Sequence, residues 1–297
     1  MKPAPFDYYD PTSLAEVVAL LQRYGSDAKL LAGGQSLIPV LNMRLAKPAV
    51  LIDLNRVAEL AYVREEGEQI AIGALTRHAA VERSELVARR QPLLTETVRY
   101  IGHSQIRNRG TIGGSLAHAD PSAELPALMV ALEGQLRIVG PAGTREVEAG
   151  EFFLMYFTTC LRQDELLAEV RVPCLPPRTG YAFDELARRH GDFALAGVAC
   201  TLTLDEDGVA SDCRLGLTGV GMTPIRPRAA EARLIGALPD AFAFRRVAEA
   251  VTALVMPESD VHGSAEYRRE LAGVLTERAL RRAHHRAVLS YEGSGRQ

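Results

Sequence analysis

The chain has 297 residues, 47% of them apolar and 24% charged, an ordinary balance for one large or two modest globular domains with ample core. A net charge of −3 argues against a nucleic-acid binder, which would be strongly basic, and the absence of tryptophan removes one common stacking platform. No run approaches the ~18 apolar residues of a membrane span.

Met1-Lys2-Pro3-Ala4-Pro5 has no apolar core, so no signal peptide is expected and the chain reads as cytoplasmic. Ser13 predicts an N-cap for a helix through Leu20, Leu21 and Tyr24, closed by Gly25. Lys29 to Ala32 is a short strand running into Gly33-Gly34-Gln35-Ser36, where Ser36 is read as the cap of a helical stretch to Leu45. Val50 to Leu54 is a buried strand, completing a small α/β lobe. The pattern then changes. Ala61 to Arg64 and Gln69 to Ala74 alternate as strands, Thr76 is read as the cap of a helix through Val81, and Pro92 to Ile101 is helical.

Gly110 to Leu132 repeats the earlier grammar of glycine pair, hydroxyl and helix. Gly113 and Gly114 are read as a tight turn rich in free N–H groups, flanked by Thr111 and Ser115. Asp120-Pro121 is read as the N-cap and first turn of the helix that carries Leu125, Leu128 and Leu132. Two such glycine segments can hold the two phosphates of one dinucleotide from opposite sides. Neither is a Walker A loop nor a G-x-G-x-x-G fingerprint.

Gln135 to Val139, Thr144 to Val147 and Leu166 to Val172 are strands. The cluster Pro173, Pro176, Pro177 and Gly180 marks a boundary, which places one domain at 1–176, with lobes of 1–57 and 58–176, and a second at 177–290. The second opens with a strand at Tyr181 to Phe183 and a long hairpin, Phe193 to Leu204 and Val209 to Thr218. Helices follow at Arg228 to Ile235, Ala241 to Leu254 and Ser264 to Leu289, before a polar tail, 291–297. The arginines of the last helix (Arg268, Arg269, Arg278, Arg281, Arg282, Arg286) read as a solvated face or a subunit contact rather than an anion site. Cys160, Cys174, Cys200 and Cys213 are spaced too widely for zinc or iron–sulfur ligation, and His118-Ala119-Asp120 supplies only two ligands, so no metal site is expected. No nucleophile triad is visible, so no catalytic residue is assigned and the chemistry must belong to a bound cofactor.

Ala32-Gly33-Gly34-Gln35-Ser36 and Thr111-Ile112-Gly113-Gly114-Ser115 resemble the two FAD pyrophosphate loops of the flavoprotein (medium) subunits of molybdenum hydroxylases, the family of xanthine dehydrogenase, aerobic carbon monoxide dehydrogenase and the quinoline and nicotine dehydrogenases. The resemblance runs from Phe6-Asp7-Tyr8 to Ser264-Ala265-Glu266-Tyr267-Arg268. It implies an α+β chain: a two-lobed FAD-binding fold of the vanillyl-alcohol oxidase type, followed by a C-terminal domain with a small antiparallel sheet and a helical bundle.

It also implies site residues. Lys29, Leu30, Leu31, Ala32, Gly33, Gly34, Gln35 and Ser36 would wrap the adenosine diphosphate half of FAD, and Thr111, Ile112, Gly113, Gly114 and Ser115 its other side. Ile101 would touch the adenosine end, Glu124 the ribose hydroxyls, and Leu161 the cofactor by packing. Asp120 is a helix cap or a ribose contact, and Phe193 a flavin-face or a core residue. Glu185 stands where the family often has a lysine near the flavin, with Arg188 or Arg189 as substitutes for that charge. The implied activity is electron transfer within a heterotrimer, doubled, whose large subunit holds molybdopterin and whose small subunit holds two [2Fe–2S] clusters. The alternatives are a self-sufficient FAD oxidase of the same fold and a non-catalytic assembly subunit.

Overall fold

The computed structural model describes residues 2–294, with side chains from 2 to 290. The N-terminal lobe comprises β1 (Asp7–Tyr9), α1 (Leu14–Tyr24), β2 (Ala28–Leu31), α2 (Leu37–Asn42) and β3 (Val50–Asp53). Its three strands form a parallel sheet in the order β1-β3-β2. Ser13 caps α1 by accepting the Glu16 amide, and Gly25 closes it at φ +48°. Val17 and Leu21 of α1 pack with Val50 and Ile52 of β3 in the core of this lobe.

The second lobe begins with β4 (Val63–Glu66) and β5 (Gln69–Gly73). Six helices follow: α3 (His78–Glu82), α4 (Glu85–Arg90), α5 (Pro92–Val98), α6 (Ser104–Arg107), α7 (Ile112–His118) and α8 (Glu124–Ala131). The chain continues through β6 (Gln135–Gly140), β7 (Gly143–Glu148), α9 (Ala149–Phe152), β8 (Phe153–Met155), β9 (Thr158–Thr159) and β10 (Leu166–Pro173). An antiparallel sheet of order β4-β5-β10-β6-β7 puts the last-made strand at its centre, with Val170 opposite both Ile72 and Leu136. Every residue of α8 is buried, as its apolar character on all sides requires.

The C-terminal elements are β11 (Thr179–Ala187), β12 (Ala194–Leu204), β13 (Ala210–Thr218), α10 (Arg228–Glu231), α11 (Ala241–Leu254) and α12 (Ala265–Ser294). The three strands form an antiparallel sheet, against which α11 and α12 pack. The fit is close. A Cβ on Gly180 would lie 1.7 Å from Ala283 O of α12, and one on Gly216 would lie 2.0 Å from Ala127 O of α8. Thus α8 belongs to the second lobe by sequence and also to the packing of the third sheet. The backbone of α12 is helical to Ser294; residues 295–297 of the expected tail lie outside the described residues.

Several local expectations are corrected. Gly113 and Gly114 lie in the first turn of α7, not in a turn between elements. The helix after Asp120 starts at Glu124 with Ala123 as its N-cap, and Asp120 instead accepts the Ser122 amide at 2.9 Å. Ser36 makes no capping bond. The Thr76 hydroxyl donates to Tyr62 O at 2.8 Å, and α3 begins after Arg77 without a side-chain cap. The arginines of α12 are not one solvated face. Arg282 and Arg286 reach Glu96 of α5 at 2.7 and 2.6 Å, Arg278 pairs with Asp184 at 3.2 Å, and Arg268 is buried.

Candidate functional site

The two glycine segments meet backbone to backbone. A Cβ on Gly33 would lie 2.4 Å from Arg109 O and 2.8 Å from Gly110 Cα, a contact only glycine permits. Gly34 turns the chain at φ +75°, in the left-handed region. A polar staple sits behind this contact. Asn55 donates Nδ2 to Ala32 O at 3.0 Å, while Arg77 donates to Asn55 Oδ1 and to Arg109 O. Asn55 comes from the first lobe and Arg77 from the second, so the staple fixes the gap between them.

The two segments differ in what they offer. Among the described residues, the amides of Gly33, Gly34, Gln35 and Ser36 have no acceptor within the chain. They form a cluster of free donors suited to an anion. At the start of α7, by contrast, the amides are already used. Ile112 donates to Thr76 O, Gly113 to Ala74 O, Gly114 to Thr111 Oγ1 and Ser115 to Thr111 O. The expectation of free N–H groups there is corrected; this segment presents a helix N-terminus and the Ser115 hydroxyl instead.

A cleft of about 870 Å³ opens between the segments and runs to the C-terminal sheet. Its walls include Lys29, Leu30, Ala32, Gly33, Gly34, Gln35, Ser36, Ile101, Thr111, Gly113, Gly114, Ser115, Asp120, Glu124, Leu161 and Phe193. Leu31, Ile112 and Glu185 are not on the walls. The Leu31 side chain packs beside Gly34, and Ile112 is in the main core. Glu185 lies behind the wall against Gly197, with Oε2 unpartnered. Burial, with help from Glu124 and Asp184, pushes its pKa up to about 9. Burial, reinforced by Asp120, raises Glu124 to about 7. Phe193 is 67% exposed at the far end of the cleft and is therefore not a core residue.

Several wall residues carried no sequence signal of their own. His78 is buried with both ring nitrogens unpartnered, and burial lowers its pKa to about 4, so it is a neutral imidazole. Phe157 stacks near His118 at a centroid distance of 5.2 Å. Arg188, Asp192, Asp260, His262 and Arg268 come from loops and α12, brought together only by tertiary packing. Of these, Arg188 was expected as a substitute for the charge near the flavin and Arg268 belongs to the Tyr267-Arg268 motif; Arg268 donates to Leu195 O and to Asp260 Oδ2, each at 2.8 Å.

Residues 4–175 match the model of the FAD binding domain in molybdopterin dehydrogenase. The chain belongs to this family. Residues 181–283 match the carbon monoxide dehydrogenase flavoprotein C-terminal domain. The flavoprotein is 45% identical, over 97% of both chains, to the 6-hydroxypseudooxynicotine dehydrogenase complex subunit alpha of Paenarthrobacter nicotinovorans. It is 42% identical to the carbon monoxide dehydrogenase medium chain of Hydrogenophaga pseudoflava, over 97% of this chain and all of that one. The crystal structure of the Hydrogenophaga carbon monoxide dehydrogenase lacking the Mo-pyranopterin moiety superposes with a TM-score of 0.94 at 44% identity, covering 96% of this chain and 99% of the other. Quinoline 2-oxidoreductase from Pseudomonas putida 86 gives 0.92 at 37% identity, covering 97% and 99%. The α+β architecture implied by the resemblance is thus the one observed.

The residues present fit FAD. The four unpaired amides of Gly33 to Ser36 lie where the first glycine segment touches Arg109 and Gly110 of the second, a cluster of free donors suited to a pyrophosphate. The exposed ring of Phe193 offers an aromatic face at the other end.

Proposed function

We propose that the cleft holds FAD between the two lobes and that this chain is the electron-delivery subunit of a molybdopterin and [2Fe–2S] hydroxylase. The observation that carries the reading is the set of unpaired amides at Gly33, Gly34, Gln35 and Ser36, pressed against the second glycine segment. FAD supplies the conversion between single electrons from iron–sulfur clusters and an external acceptor. The chain's own residues bind and orient. The Gly33–Ser36 amides and the Ser36 and Ser115 hydroxyls hold the pyrophosphate. Glu124, titrating near neutrality, both donates to and accepts from ribose hydroxyls. Ile101 and Leu161 exclude water by packing, and Phe193 covers one face of the flavin.

Residues 1–176 act as the FAD-binding domain, with lobes at 1–57 and 58–176, and residues 177–290 as a flavoprotein C-terminal domain. The chain works in the cytoplasm in a dimer of heterotrimers, with a large molybdopterin subunit and a small iron–sulfur subunit. Relatives named for carbon monoxide, quinoline and 6-hydroxypseudooxynicotine share this scaffold, which supports a substrate pocket in the large partner.

The test is a visible spectrum with metal analysis, on the chain expressed alone and on the complex captured with it. Flavin bands on the lone chain, with molybdenum and iron only in the complex, are expected. Turnover of an organic donor by the lone chain would replace this reading with a self-sufficient oxidase.

A further inference from the structure

We infer that Arg188 is the cation that sets the reduction potential of the flavin. This rests on the reading of the cleft as the FAD site. Among the described residues, three Lys or Arg side chains line the cleft: Lys29, Arg188 and Arg268. Lys29 lies on β2 at the glycine end. Arg268 is buried and its charge is offset by Asp260 at 2.8 Å. Arg188 has no carboxylate within 4.0 Å among the described residues; its contact is His262 Nδ1, 3.3 Å from Nη1. It is therefore the one uncompensated cation at the end of the cleft where Phe193 exposes its ring, with Asp192 and Asp260 as the acidic groups on the same walls.

The strand explains its direction. Up to Leu186, β11 pairs regularly with β12, Glu185 opposite Gly197 and Leu186 opposite Ala196. A bulge then shifts the register, so that Ala187 faces Ala194. Bulges re-aim the residues that follow them. Glu185 stays behind the wall, and Arg188 joins the cleft.

A flavin that takes up two electrons, delivered singly by iron–sulfur clusters of a partner subunit, and one proton from solvent is left with a negative charge on its pyrimidine side. A nearby unpaired cation favours that product over the neutral oxidised ring. Arg188 does so here, and a wall holding a protonated Glu185 does not oppose it.

The experiment is a reductive titration of the FAD-loaded full chain with dithionite against a reference dye. Arg188→Gln is expected to weaken binding of reduced relative to oxidised flavin about tenfold, a fall of about 30 mV for a two-electron couple. Arg188→Lys is expected to retain most of the potential, and Glu185→Gln to move it by less than a third as much as Arg188→Gln. An unchanged potential in a fully flavinated Arg188→Gln chain would overturn the inference. So would loss of flavin from that variant, which would make Arg188 a retention residue. Failure of the unsubstituted chain to take up flavin would instead overturn the reading of the cleft, and this inference with it.

Discussion

At Gly33 one methyl group is enough to part the two lobes. Its carbon would meet a backbone oxygen and a backbone Cα, neither of which can swing aside. Gly33→Ala should therefore raise the FAD dissociation constant at least tenfold, about 1.4 kcal/mol, in an absorbance titration. An alanine variant with undiminished affinity would mean that the segments do not grip the cofactor jointly. Glu185 gives a second expectation, in pH. Its folded-state pKa is raised to about 9 from an ordinary 4.5, chiefly by burial. Between those values the folded chain holds a proton that the unfolded chain has lost, so this carboxyl lowers stability progressively as pH rises through that window. Glu185→Gln should raise the melting temperature at pH 8.5, by an amount reflecting on the order of 2 kcal/mol, and change it little below pH 4. Equal effects at both pH values would show that the group is not buried in the neutral form. The paired glycines were legible because glycine is the residue that close backbone approach demands. The donor state of each amide was not, since Ala74, Thr76 and Thr111, which claim those of α7, are placed by folding alone.

At the scale of elements, long amphipathic segments could be read and short polar ones could not. Ser13 and Gly25 bracket α1 as expected, and Asp240 caps α11 at Ala243. Gly113-Gly114 reads as a turn because glycine disfavours helix, yet a Cβ on Gly113 would lie 2.4 Å from Ala74 Cβ. Close packing of α7 on Ala74 selects the residue, and local propensity yields. Thr76 and Asp120 have the chemistry of caps but bond to Tyr62 and Ser122. The face of α12 misled for a related reason, since its partner Glu96 lies far away in sequence. That carboxylate accepts from Phe183 N, Arg282 and Arg286 and ties α5 to both β11 and α12. Glu96→Ala takes the carboxylate from two partly buried guanidinium groups, leaving them their bonds to Phe183 O and Tyr181 O, and should cost about 2 kcal/mol in urea unfolding. A loss below about 0.5 kcal/mol would reduce this cluster to an ordinary surface ion pair.

Over the whole molecule, α8 is common property. Its N-terminal Glu124 lines the cleft, and its flank carries Ala127 against Gly216 of the third sheet. Thr218 adds hydrogen bonds to Pro121 O and Ala123 O at 2.9 and 2.8 Å. Cofactor binding at one end of this helix should therefore be felt in the C-terminal elements. FAD at a hundred times its dissociation constant stabilises by about 2.7 kcal/mol. The melting curve of the whole chain should move up as a single transition, followed by far-ultraviolet circular dichroism and flavin release together. Two separate transitions, only one of them FAD-dependent, would show that α8 does not couple the parts. The sheet of the second lobe has a further consequence, in time. Its central strand, β10, ends at Pro173, between strands finished about 30 and 100 residues earlier. During synthesis, the β4-β5 and β6-β7 pairs emerge with no strand to join them into one sheet, and the staple from Arg77 to Asn55 has no completed lobe behind it. The nascent chain can present its first glycine segment early, but it cannot close on a flavin until translation has passed this strand. Loading of the cofactor is thus a late event, and a ribosome stalled before Pro173 should yield chains without colour.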